Sequence, residues 1–118
     1  MTELWPEELR LSADRATLAV RFNDGSAYAL PAELLRVESP SAEVKGHTPD
    51  QAQLVFGKRA VAIAAIEAVG NYAVRLTFSD GHSTGIYTWD YLARLGRDQS
   101  TIWQAYLAKL EAAGKTRG

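Results

Sequence analysis

Apolar and polar positions alternate clearly from Thr17 onward. Leu18, Val20 and Phe22 share one side of the chain, and Thr17, Ala19 and Arg21 share the other. A period of two predicts a half-buried strand over Thr17–Phe22. Asn23-Asp24-Gly25 follows, a run suited to positive φ in a tight hairpin turn. Ser26–Leu30 is then the return strand, with Tyr28 and Leu30 toward the core. Pro31 suits the first position of a helix, where its missing N–H costs nothing. Leu34 and Leu35 predict a short helix over Ala32–Val37. Ahead of this unit, Glu8–Leu11 reads as a short edge strand.

Val61–Val69 carries two conflicting signals. Ile63, Ile66 and Val69 recur at a spacing of three, and the alanines between them favour a helix. The run ends, however, at Gly70-Asn71, a pair that joins strands. The reading is a strand whose parity breaks near Ala64-Ala65, as a bulge would break it. Tyr72–Phe78 is the clearest strand, with Tyr72, Val74, Leu76 and Phe78 on one side. Asp80-Gly81 turns it back into Ser83–Tyr87. Thr88 is placed to cap a helix carrying Trp89, Leu92 and Leu95. A last helix starts at Ser100 or Thr101, where Thr101 and Gln104 have capping-box spacing. Its apolar stripe is Trp103, Tyr106, Leu107 and Leu110, Gly114 ends it, and Lys115–Gly118 should fray. Glu38–Lys58 holds Pro40, Gly46, Pro49 and Gly57 and reads as a long irregular loop.

One motif occurs twice. Phe22-Asn23-Asp24-Gly25 and Phe78-Ser79-Asp80-Gly81 each close a strand with a hairpin turn, and each leads through a return strand to a short helix. Two hairpin–helix units on one antiparallel sheet predict an α+β, two-layer sandwich, with short helices on one side and a C-terminal helix added.

Composition narrows the functional classes. The chain has 118 residues, enough for one domain with its own core. Thirteen basic and fourteen acidic residues leave a net charge of -1, so nothing marks a nucleic-acid or anionic-membrane surface. There is no cysteine, which removes disulfides, thiol catalysis and cysteine-ligated metals. Glu3, Pro6, Glu7 and Glu8 interrupt any secretory signal, and no apolar run reaches membrane-spanning length. The expected compartment is the cytoplasm. No phosphate-binding glycine loop and no serine-nucleophile elbow is present. Two histidines, His47 in the long loop and His82 after the second turn, are the candidate metal ligands. Tyr87, Trp89 and Tyr91 cluster after the second hairpin as a candidate interaction surface.

The runs Val69-Gly70-Asn71-Tyr72-Ala73-Val74 and Phe78-Ser79-Asp80-Gly81-His82-Ser83-Thr84-Gly85-Ile86-Tyr87-Thr88-Trp89-Asp90-Tyr91-Leu92 resemble one family. So does Leu35-Arg36-Val37-Glu38-Ser39-Pro40-Ser41-Ala42-Glu43-Val44. The sequence is similar, over roughly residues 5–96, to the gamma-butyrobetaine-hydroxylase-like N-terminal domain in its small stand-alone bacterial form. The resemblance implies a small α+β domain. In the carnitine-pathway hydroxylases such a domain precedes a separate oxygenase domain, and it is also found appended to iron–sulfur-carrier ATPases. In the hydroxylases it holds a structural zinc through three cysteines and one histidine. That histidine corresponds to His82, and the cysteine positions fall at Ser39, Ser41 and Val44, so three of four ligands are missing.

The chain therefore reads as a family domain over 1–96, followed by a helix and frayed tail over 97–118. The expected function is a non-catalytic accessory or interaction module with a protein partner and no required cofactor. The alternative is a zinc- or iron-binding protein using His47 and His82.

Overall fold

The computed structural model describes residues 3–41, Val44 and residues 54–118. The elements described among these residues are six strands and three helices, in order. They are β1 (Pro6–Leu11), β2 (Thr17–Phe22), β3 (Ala27–Pro31), α1 (Ala32–Val37), β4 (Ile63–Val69), β5 (Ala73–Phe78), β6 (Ile86–Thr88), α2 (Trp89–Arg97) and α3 (Gln99–Ala113). The expected single sheet is replaced by two three-stranded antiparallel sheets, ordered β1-β2-β3 and β4-β5-β6. Arg15 joins them. Its backbone carbonyl accepts from the Ile63 N–H at 2.8 Å, and its guanidinium Nε donates to the Ile63 carbonyl at 2.8 Å.

The duplication seen in the sequence extends to individual hydrogen bonds. Each sheet consists of three strands followed by a helix. β1 slips register between Pro6 and Glu8 opposite β2, and β4 slips between Ile63 and Ala65 opposite β5. The parity break expected at Ala64-Ala65 is this second bulge. Phe22 and Phe78 each donate a backbone N–H across their turn, to Ser26 at 2.8 Å and His82 at 2.9 Å. Gly25 and Gly81 each donate back to the phenylalanine carbonyl, with φ of 90° and 91°. Asp24 and Asp80 each accept the backbone N–H two residues on, at 2.9 and 3.1 Å. These are three-residue hairpin loops with glycine at the left-handed position.

The core lies between the inner faces of the two sheets and the two short helices. Leu18, Val20, Phe22 and Leu30 come from the first sheet, and Ile63, Leu76, Phe78 and Tyr87 from the second. Leu34, Leu35, Leu92 and Leu95 close it from α1 and α2. Each such buried side chain contributes about 1.5–3 kcal/mol relative to exposure. Thr88 caps α2, its hydroxyl accepting from the Tyr91 N–H at 3.2 Å.

Several expectations are corrected. Tyr72 is exposed, because it belongs to the β4–β5 turn (70–72) and falls outside the alternation of β5. Pro31 is the cap before α1, with extended ψ of 143°, and not its first helical residue. β6 is shorter than expected, since Ser83–Gly85 turn aside toward residues 39–41. α3 starts at Gln99 behind Asp98, without a side-chain cap, so the Thr101–Gln104 box does not form. Its stripe packs as expected: Tyr106 and Leu110 are buried with Val37, against Leu54, Val55, Trp103 and Leu107. Gly114 ends α3 at φ 67°. The following residues do not hang free. Gly57 and Arg59 donate backbone N–H groups to Thr116 and Arg117 at 3.0 and 2.8 Å, and Arg117 pairs with Glu33.

Candidate functional site

The Asp80-Gly81-His82 turn and the start of the long loop meet at the end of α1. The turn alone would project as the Asp24 turn does, into solvent. Arg36, in the last turn of α1, changes that. Its Nε donates to Asp80 Oδ2 at 2.7 Å, and Lys58 Nζ reaches the same oxygen at 2.6 Å. Burial pulls the Asp80 carboxyl upward, but Lys58, the His82 N–H and Arg36 outweigh it and hold the group well below the usual carboxylate range. Nη1 of Arg36 is buried and has no hydrogen-bond partner among the described residues.

His82 is buried beneath this pair. Its Nε2 lies 2.9 Å from Ser39 Oγ, and its ring is 6.2 Å from that of Phe78. Ser39 Oγ also accepts the Ser41 N–H at 3.3 Å, and the Ser41 hydroxyl meets that of Thr84 at 2.6 Å. Gly85 explains how the strands approach so closely. A Cβ there would stand 2.4 Å from Ser39 Oγ and 3.1 Å from the Tyr87 ring. Tyr87 is fully buried and donates its hydroxyl to the Leu35 carbonyl. Tyr91 donates to the Glu38 carbonyl at 2.5 Å. Burial raises both phenols well above their ordinary value, Tyr91 to about 12 with help from the Glu38 carboxylate. The whole cluster clasps residues 35–41 to the second hairpin.

The Ser39–His82 contact has the distance of a nucleophile–base pair. Ser39 is entirely shielded from solvent and the backbone at Gly85 covers it, so no substrate reaches Oγ. Among the described residues, no three His, Asp or Glu side chains are grouped as metal ligands. Ser39 and Ser41 do lie beside His82, and Val44 is buried, but hydroxyls and an isopropyl group cannot make a thiolate zinc site. The residues present do not fit that metal. His47 falls outside the described residues.

The expected interaction surface is also redrawn. Tyr87 is a core residue whose hydroxyl is tied to α1, so it presents nothing to a partner. Tyr91 is half-buried, with its hydroxyl occupied. Trp89 is half-buried and donates its indole N–H to the Asn71 carbonyl at 2.9 Å. It lines a cleft of about 390 Å³ with Leu4, Trp5, Pro6 and Asn71. Trp5 is 47% exposed, and the nearby Tyr72, which the alternation pattern assigns to the inner side of its strand, is 52% exposed. Trp5 sits before β1 and Tyr72 in a turn, where period-two reasoning has no purchase. No helix among the described residues is long and apolar enough to cross a membrane.

Comparison with known proteins bears on the family and the fold. No curated protein matches the chain. Among solved structures, one NMR solution structure is 45% identical with a TM-score of 0.83, covering 99% of this chain and 90% of its own. A second NMR solution structure is also 45% identical, with a TM-score of 0.81, covering 95% and 88%. A crystal structure from Acidithiobacillus ferrooxidans ATCC 23270, of a DUF971-family protein of unknown function, is 43% identical with a TM-score of 0.64. It covers 77% of this chain and 91% of that one. Residues 9–93 match the model described as gamma-butyrobetaine hydroxylase-like, N-terminal, a match that takes in both hairpins, α1 and the His82 clasp. The chain belongs to the gamma-butyrobetaine hydroxylase-like N-terminal family.

Proposed function

We propose that this domain is a non-catalytic accessory module that works in the cytoplasm by binding a protein partner. The observation that supports this most is the engagement of the motif's own functional groups. Asp80, His82, Tyr87 and Tyr91 are each held by residues 35–41 or by Lys58, and the Ser39–His82 contact is sealed from solvent. A catalytic constellation must meet its substrate, and this one faces inward. The partner surface on this reading is the cleft lined by Trp5 and Trp89, with exposed Tyr72 in the adjoining turn, which suits apolar side chains of another protein. The net charge of -1 gives no reason to expect nucleic acid or membrane as the partner. No cofactor is required. Zinc or iron on His82 and His47 is the competing reading. It draws no support from the contact of His82 Nε2 with Ser39.

The test is capture from native cell extract by immobilised wild-type chain and by a Trp5→Ser/Tyr72→Ser variant with an unchanged circular-dichroism spectrum. A stoichiometric protein retained by the wild type and lost by the variant is the expected result. A turnover detected with the purified chain and abolished by His82→Gln would overturn the proposal.

A further inference from the structure

We propose that the open edge of β4 takes up an extended segment of the partner protein as a further strand, with a basic side chain set against Glu67. The inference deepens the reading of the domain as an interaction module and rests on it. The hydrogen-bond pattern defines the edge. The Trp89 N–H donates to the Tyr72 carbonyl at 3.3 Å, so the next pair, Ala73 with Thr88, turns its backbone groups away from β6 on the Ala73 side. Alternation then directs the N–H and C=O groups of Ala73 and Arg75 to β4, and those of Val74 and Leu76 to the opposite side. In β4, Val69 and Glu67 pair with Ala73 and Arg75, while Ala68 and Ile66 point their N–H and C=O groups outward. Arg15 fills the start of this edge, its carbonyl accepting from the Ile63 N–H and its guanidinium donating to the Ile63 and Ala64 carbonyls. Beyond it, nothing among the described residues bonds to the outward groups of Ile66 and Ala68. Ala64, Ala65, Glu67 and Ala68 are exposed.

The other described strand edges are guarded. β1 carries a bulge, Pro6 and the charges of Glu7, Glu8 and Arg10. β3 has α2 packed against it, so closely that a Cβ at Gly96 would stand 2.2 Å from the Tyr28 ring. β6 is short and runs straight into α2. Past its bulge, β4 has no proline and a single charged residue, Glu67, paired with Arg75. A row of outward N–H and C=O groups fits one kind of ligand, another extended backbone. A second copy of this chain suits it badly. Antiparallel pairing that uses both Ile66 and Ala68 would set Glu67 directly against Glu67, a destabilising like-charge contact. A segment with lysine at that place meets a carboxylate instead. The residues on either side of the lysine lie beside Ile66 and Ala68, which favours small or β-branched apolar side chains there. The edge ends at Gly70, under the exposed ring of Tyr72, which a Cβ at Gly70 would approach to 3.2 Å. It is therefore continuous with the aromatic surface proposed for the partner.

The experiment titrates the full-length chain with acetyl-Thr-Val-Lys-Val-Thr-amide and follows the backbone amides by NMR. The control is the same peptide N-methylated at both valines. The Ile66 and Ala68 amides should shift with the first peptide and stay in place with the second. A peptide with glutamate in place of lysine should bind more weakly. Ala68→Pro removes an outward N–H and no β4–β5 bond, so the variant should fold and bind at least about ten-fold more weakly. No shift at either amide, or equal binding of the N-methylated peptide, overturns the proposal. So does a concentration-dependent dimer of the wild type that Ala68→Pro abolishes, which would make the occupant a second copy. If Ala68→Pro does not fold, amide exchange in the wild type decides. Ile66 and Ala68 should exchange at least about a hundred-fold faster than Glu67. Equal protection would mean that the edge is covered, and would overturn the proposal. Failure of peptide binding while the Trp5→Ser/Tyr72→Ser variant still loses the cellular protein removes this edge alone and leaves the module reading standing.

Discussion

Replacing Asp80 by Asn should destabilise the fold much more than replacing Asp24 by Asn, although the two turns have the same backbone. Both asparagines keep an oxygen for the N–H two residues on. Only Asp80 also holds two cations, Arg36 at 2.7 Å and Lys58 at 2.6 Å. Hydrogen bonds to charged partners are worth about 1.5–3 kcal/mol each. Arg36, with 12% of its side chain exposed, would be left as a nearly buried charge. A fifth of the Asp80 side chain and a quarter of Lys58 remain in water, and screening there trims the total. The expected loss is about 2–4 kcal/mol at pH 7. Because the folded carboxyl is held below its unfolded value, its contribution is fully present above about pH 4–5. It fades as the pH falls toward the folded-state value, so the Asp80→Asn deficit should shrink at pH 3. Urea unfolding monitored by tryptophan fluorescence at pH 7 and pH 3 measures both. A deficit under about 0.5 kcal/mol at pH 7, or one that is unchanged at pH 3, would refute the reasoning.

Gly85→Ala should cost about 2–4 kcal/mol, since its Cβ would overlap buried Ser39 Oγ; adding Ser39→Gly should recover part of that in chemical unfolding. Thr88→Ala removes the cap of α2 and should lower stability by about 1 kcal/mol in the same assay. Tyr87→Phe leaves the Leu35 carbonyl unpaired in the core and should cost about 1–3 kcal/mol, with thermal unfolding as the check.

The backbone plan was readable in advance wherever short-range chemistry decides it. β2 and α1 have the predicted limits, the Asp-Gly turns form, and the parity break of β4 marks a real bulge. What could not be read depends on partners distant in sequence. Nothing in the alternation says that the repeat makes two sheets, because Arg15, with φ of 61°, ties β4 to the first turn by a contact 48 residues away. Tyr87 reads equally well as surface or core until α1 is placed against it. Lys115–Gly118 are expected to fray beyond Gly114, yet Glu33 and the N–H groups of Gly57 and Arg59 hold them. At the site, His82 and the serine positions were legible as neighbours through the family resemblance. Their bonding was not, since it depends on Gly85 admitting Ser39.

A double-mutant cycle on Ser39 and His82, run with and without added Zn²⁺, tests the clasp most directly. Unfolding free energies of the wild type, Ser39→Ala, His82→Ala and the double variant give the coupling between the two side chains. A structural clasp predicts a coupling of about 0.5–1.5 kcal/mol, the same with and without the metal. No coupling, or a stabilisation by Zn²⁺ that disappears with His82→Ala, would contradict the account and make His82 a ligand.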